Sequence, residues 1–106
     1  SLPLNVYYDP SVYLPPTGDW SSSTTFDLLT YDYINKNHFD VLLIMQGRIR
    51  DYLNPNAVGI DPHEFALSQM FYRDAQTSGI GGYRLVYEND FGKVFVSDDL
   101  YRKIFP

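Results

Sequence analysis

The sequence predicts a small α/β domain organised around one buried strand, and three observations carry the prediction. The run Phe39-Asp40-Val41-Leu42-Leu43-Ile44-Met45 is the longest apolar stretch of the chain. A segment of helical spacing lies on each side of it. Beyond the second of these, two strand-like segments are joined by a short turn. A strand covered on both faces reads as a continuous apolar run, whereas a half-covered one alternates. A strand–helix–strand order also implies a parallel pair joined by a crossover.

Taken in order, the first strand is Leu4-Asn5-Val6-Tyr7-Tyr8, ended by the turn chemistry of Asp9-Pro10. Pro15-Pro16 cannot extend a ladder, because proline has no amide donor. Residues 17–23, Thr-Gly-Asp-Trp-Ser-Ser-Ser, read as a loop that holds the only Trp. Trp20 there either folds back as a lid on the core or faces a ligand. A helix is predicted over 24–36. Ser23 or Thr24 caps it, and Asp27 lies in its first turn, where the helix dipole favours an anion. Phe26, Leu29 and Tyr33 recur on one face, with Leu28 and Ile34 widening the stripe. Asn35-Lys36-Asn37-His38 ends the helix, asparagine being suited to a left-handed cap.

The central strand, 39–45, follows. Leu43 is expected to be core, so that an aspartate in its place would unfold the domain. Residues 47–53 make one or two helical turns, stopped by Asn54-Pro55-Asn56. The clearest local signal is Asp61-Pro62-His63-Glu64. Asp61 is placed as an N-cap, Pro62 at the first helical position, and Glu64 where it can reach back to the cap amide. That helix runs through Phe65, Leu67, Met70, Phe71 and Ala75 to Gly79. Residues 83–88 and 93–96 form a hairpin about the turn Asn89-Asp90-Phe91-Gly92. Residues 98–103 make a last helical turn, acidic at its start and basic at its end.

The order is therefore β-α-β-α-α-β-β. It describes a two- or three-layer Rossmann-like α/β domain with a three- or four-stranded mixed sheet and a C-terminal antiparallel hairpin. The last strand, 93–96, is expected at the edge, open to pairing between chains and flanked by Lys93 and Asp98. A length of 106 residues suits a single domain, 1–106, with a small core.

Composition narrows the function. Eight basic residues against thirteen acidic ones give a net charge of −5. That balance argues against a nucleic-acid partner, which needs a positive field, and against attachment to an anionic lipid surface. Without cysteine there is no disulfide and no thiolate metal site. Ten Tyr and seven Phe make the chain rich in rings that suit shallow cores, interfaces and carbohydrate surfaces. No apolar run approaches the ~20 residues of a membrane span, and no signal peptide is visible. The chain is expected to be a piece of a longer protein.

No catalytic set stands out. His38 and His63 lie in different loops, and neither belongs to a metal motif. No Gly-x-Ser-x-Gly elbow is present. Gly79-Ile80-Gly81-Gly82 follows a helix and precedes a strand, the reverse of a phosphate-cradling loop, so no cofactor is implied. Asp9, Asp19, Asp40, Asp51 and Asp61 are scattered turn and cap residues. The best ligand position is set by a general rule: open α/β sheets bind beyond the carboxyl ends of their parallel strands. Gln46, Arg48 and Arg50 follow the central strand there, and Asp19 and Trp20 are expected at the matching end of the first strand. Guanidinium groups with an aromatic lid suit an anionic or sugar ligand. The alternative is that Arg48 and Arg50 pair with Asp51 and other surface acids.

Several short motifs occur in an order that carries a resemblance. They are Asp19-Trp20 before a helix, the strand Phe39-Asp40-Val41-Leu42-Leu43-Ile44 and the turn Arg50-Asp51-Tyr52-Leu53. The Asp61-Pro62 helix with Phe71-Tyr72 follows, then Tyr83-Arg84-Leu85-Val86-Tyr87-Glu88 with Val94-Phe95-Val96. From Asp19 onward the chain resembles the C-terminal soluble domain of polytopic membrane glycosyltransferases related to protein mannosyltransferases, which use lipid-phosphate-linked sugars. The resemblance implies a non-catalytic domain on the extracytoplasmic face of a cell membrane, with a packing or substrate-recognition role. Its partners would be the membrane domain of the parent protein and a sugar or lipid-linked sugar, with catalysis elsewhere in that protein. An independent small-molecule or sugar-binding module is the other reading.

Overall fold

The computed structural model describes residues 4–8, 20–23, 29–53, 62–77 and 79–106. Along the chain these form β1 (Leu4–Tyr8), β2 (Trp20–Ser23), α1 (Tyr31–Asn37), β3 (Val41–Met45) and α2 (Gln46–Tyr52). Then come α3 (Pro62–Gln76), β4 (Tyr83–Glu88), β5 (Gly92–Ser97) and α4 (Asp98–Ile104). The strands make one mixed sheet in the order β2-β1-β3-β5-β4, with β3 in the middle. β1 runs parallel to both β2 and β3, whereas β5 is antiparallel to β3 and β4. The α/β class, the mixed sheet and the C-terminal antiparallel hairpin are those the sequence predicts.

The sheet differs from expectation at both edges. Trp20–Ser23, expected as a loop, is the outer strand β2, paired with Leu4, Asn5, Val6 and Tyr7. Ser23 is therefore a strand residue, and the N-cap of α1 is Thr30. At the other edge stands β4, because β5 inserts between β3 and β4. The segment 93–96 is interior and offers no open edge.

Register explains the core. Tyr7 lies beside Leu42, and Leu42 beside Phe95, so these three buried side chains form a row across one face. α1, α2 and α3 cover that face with Ile34, Ile49, Phe71, Tyr72 and Ala75. Aromatic edges join the elements: Tyr7 of β1 meets Tyr33 of α1 at 6.4 Å and Phe39 at 5.6 Å, and Tyr31 of α1 meets Phe71 of α3 at 5.4 Å between centroids, all T-shaped. Each such buried side chain contributes about 1.5–3 kcal/mol. In β3 only Leu42 and Ile44 are fully buried, while Val41, Leu43 and Met45 are half-buried. The central strand is thus apolar on both faces but closely packed on one. Leu43, expected as core, lies on the other face in a row with Tyr8 and Val94.

Lys93 corrects another expectation. It is 7% exposed and shares the buried row of Ile44. Its Nζ donates to the carbonyl oxygens of Ala75 at 2.9 Å and Gln76 at 3.1 Å, and pairs with Glu88 at 3.1 Å. A lysine inside an apolar strand here satisfies the last carbonyls of α3, which the helix cannot pair itself.

Local caps place the remaining elements. α1 starts at Tyr31, where Thr30 Oγ1 accepts the Tyr33 N–H, and Asp32 is the acid of its first turn. The expected first half of that helix, 24–28, lies outside the described residues. His38, and not an asparagine, takes the left-handed cap with φ 52°. α3 starts at Pro62, as expected; Asp61 lies outside the described residues. Gly79 closes the helix with φ 93° and a bond from its N–H to the Asp74 carbonyl at 2.7 Å, a conformation that glycine adopts without steric cost. α4 packs against β4 and β5 on the side of Arg84, which stacks over Tyr101 at 4.5 Å and pairs with Asp98 at 3.4 Å.

Candidate functional site

The carboxyl end of β3 opens into a crevice of about 480 Å³. Gln46, Arg48 and Arg50, the three residues nominated after the central strand, all line it. The sequence brings them there simply: β3 ends at Met45 and α2 begins at the next residue, so the chain turns within the crevice wall. Gly47 leaves room in that wall. A Cβ at Gly47 would stand 3.5 Å from Arg50 Nη2, so the Arg50 guanidinium folds back over it. Arg50 is exposed, and Arg48 is half-buried with its guanidinium 5.1 Å from the Tyr52 ring centroid. Stacking of this kind fixes the plane of the guanidinium against the ring.

The opposite wall comes from the hairpin. The Phe91 carbonyl accepts the Gln46 N–H at 2.8 Å, which docks the hairpin tip onto the start of α2. The Gln46 side chain makes only long contacts, from Nε2 to Glu88 Oε2 at 3.5 Å and to the Asn89 carbonyl at 3.4 Å. Asp51, Tyr52, Asp90 and Phe91 complete the lining. An adjoining hollow of about 330 Å³ shares Gln46 and Arg50 and reaches Gln76 at the end of α3.

Two carboxylates, Asp51 and Asp90, and two guanidinium groups, Arg48 and Arg50, therefore share the lining. The lining has no net formal charge and combines donors, acceptors and the aromatic side chains of Tyr52 and Phe91. Among the described residues no group of His, Asp and Glu is placed to hold a metal ion, and no helix is long and apolar enough to cross a membrane.

Of the other two nominated residues, Trp20 is not brought here. Asp19 lies outside the described residues. Trp20 opens β2 and pairs with Leu4, at the amino end of the parallel strands. Tyr8, at the carboxyl end of β1, is level with Leu43. At ~3.3 Å per residue, Trp20 stands roughly 20 Å from Gln46 along the strand direction. The register is the cause, since it sets Trp20 level with Leu4, the first residue of β1. Besides Tyr52 of α2, the aromatic residue of the crevice is the exposed Phe91. It went unnominated because it lies some forty residues beyond β3 in sequence, although an aromatic ring inside a tight Asn-Asp-x-Gly turn was a signal.

Comparison of the chain with family models, with curated proteins and with solved structures finds no match.

Proposed function

We propose that this chain is a non-catalytic recognition domain whose crevice at the carboxyl end of β3 binds a sugar phosphate. The observation that carries the reading is the lining itself: Arg48 and Arg50 for a phosphate, and Asp51 and Asp90 for hydroxyl donors, around one open crevice. Guanidinium forks match phosphate oxygens, and carboxylates accept from vicinal hydroxyls. The motif order described above supports placing the domain in a membrane-bound glycosyltransferase-like protein, on the extracytoplasmic face. There it would serve the membrane domain by recognition or packing.

Titration with glucose 1-phosphate tests the binding. Amide resonances of residues 46–50 are expected to shift with millimolar affinity, and Arg50→Ala to weaken binding about tenfold. No shift in these amides at millimolar ligand would overturn the reading. The parent gene tests the placement: hydrophobic spans are expected in the same open reading frame, and a parent encoding none would remove it.

A further inference from the structure

We infer that Phe91 is a stacking platform that makes the crevice selective for anions bearing a pyranose ring. The inference rests on the ligand reading above and concerns the part of the ligand that the guanidinium groups do not touch. Among the described residues Phe91 is the most exposed of the large apolar side chains, at 73%. Its exposure is not that of a loose turn. The Phe91 carbonyl accepts the Gln46 N–H, and its own N–H donates to Asn89 Oδ1 at 2.9 Å. The Gly92 N–H donates to the same oxygen at 3.0 Å, and the Asn89 N–H donates to the Gly92 carbonyl at 3.0 Å.

The fold thus spends four hydrogen bonds on holding this turn in place while the phenyl ring stays in water. Phe91 also lines an apolar groove of about 210 Å³, with Leu43, Met45, Tyr87 and Val94 among its other lining residues. The ring and the two guanidinium groups line one crevice. A pyranose presents an apolar C–H face that lies flat on an aromatic ring, as one edge carries hydroxyls and another the phosphate. Phe91 would take that face, Arg48 and Arg50 the phosphate, and Asp51 and Asp90 the hydroxyls. Inorganic phosphate would use only the guanidinium groups. A ring held in place before binding adds affinity at little entropic cost.

The test titrates the 106-residue chain with glucose 1-phosphate and with inorganic phosphate, read at the amides of residues 46–50 and 90–92. The sugar phosphate is expected to bind about tenfold more tightly than inorganic phosphate, in line with aromatic stacking. Phe91→Ala is expected to erase that ratio while leaving the affinity for inorganic phosphate unchanged, and Phe91→Trp to retain it. An unchanged ratio in Phe91→Ala overturns the platform and leaves the anion site standing. Absence of any shift with either compound removes the binding reading, and the platform with it.

Discussion

The two ends of β3 use their polar groups in opposite ways. At the amino end nearly every one is taken up inside the protein. Asp40 Oδ2 accepts the Asn5 N–H at 2.8 Å, and the Asp40 N–H donates to the Asn5 carbonyl at 2.7 Å. Asn5 Nδ2 donates to the Asn37 carbonyl at 2.7 Å. The Tyr83 hydroxyl donates to the Phe39 carbonyl at 2.7 Å, and the Ser97 N–H to the Asp40 carbonyl at 2.8 Å. A hollow of about 240 Å³ exists there too, but Asp40 and Tyr83 in its wall are already engaged. At the carboxyl end, contacts of the Gln46 amide stretch to 3.4–3.5 Å and the Arg50 guanidinium lies exposed. A bond near 2.7 Å between fixed groups leaves little for a ligand to compete for, whereas a contact at 3.5 Å yields readily. One end therefore ties the sheet together, and the other is left available.

The contrast breaks most visibly at Asp40. Asp40→Ala removes the acceptor of the Asn5 N–H, the side-chain bond that ties the start of β3 to β1. A bond to a charged acceptor is worth about 1.5–3 kcal/mol, so a loss of about 2 kcal/mol is expected in urea denaturation. A variant with wild-type stability would mean that this knot does not hold the sheet.

Tyr83 sharpens the same point through pH. Burial pushes its phenol from 10.0 up to about 12, and the Asp40 carboxylate adds to the rise. The folded state thus keeps a proton that the unfolded state loses above pH 10. The stabilisation is complete below pH 10 and is lost as pH rises through about 12. The Tyr31 phenol, raised to about 12 by burial and by its 2.6 Å bond to Asp74, acts in the same direction. The urea midpoint should fall from pH 9 to pH 12, and fall less steeply in Tyr83→Phe. At neutral pH that variant should lose about 1 kcal/mol, because the Phe39 carbonyl loses its donor. An equal slope in both proteins would show that the phenol is not buried as described.

How far the sequence reveals this layout depends on whether the cause is local. The hairpin was legible because Asn89 to Gly92 form a turn and both strands grow from it. The α4 turn was legible from its acids and bases, and Pro62 marked the start of α3. β2 was not, since Trp-Ser-Ser-Ser has no β-branched residue, and its extended form depends on pairing with β1. Lys93 misled for a similar reason. A lysine in a strand suggests an edge, and only the position of the α3 C-terminus supplies its carbonyl partners. In the crevice, Gln46, Arg48 and Arg50 follow directly from where β3 stops. Asp90 and Phe91 depend on the hairpin tip folding back onto α2, which no local pattern states.

The smallest expected effect on stability is at the open end, and it completes the comparison. Arg50 is exposed, and its guanidinium rests over Gly47 and not in the core. Removing an exposed side chain outside the core changes stability by about 0.5 kcal/mol or less. Arg50→Ala should therefore unfold at nearly the wild-type urea concentration while its affinity for glucose 1-phosphate drops. Asp40→Ala should do the reverse, losing stability while the surviving folded fraction keeps its affinity. If Arg50→Ala instead destabilised the domain as much as Asp40→Ala does, both ends of β3 would be structural, and the crevice would have no claim to a ligand.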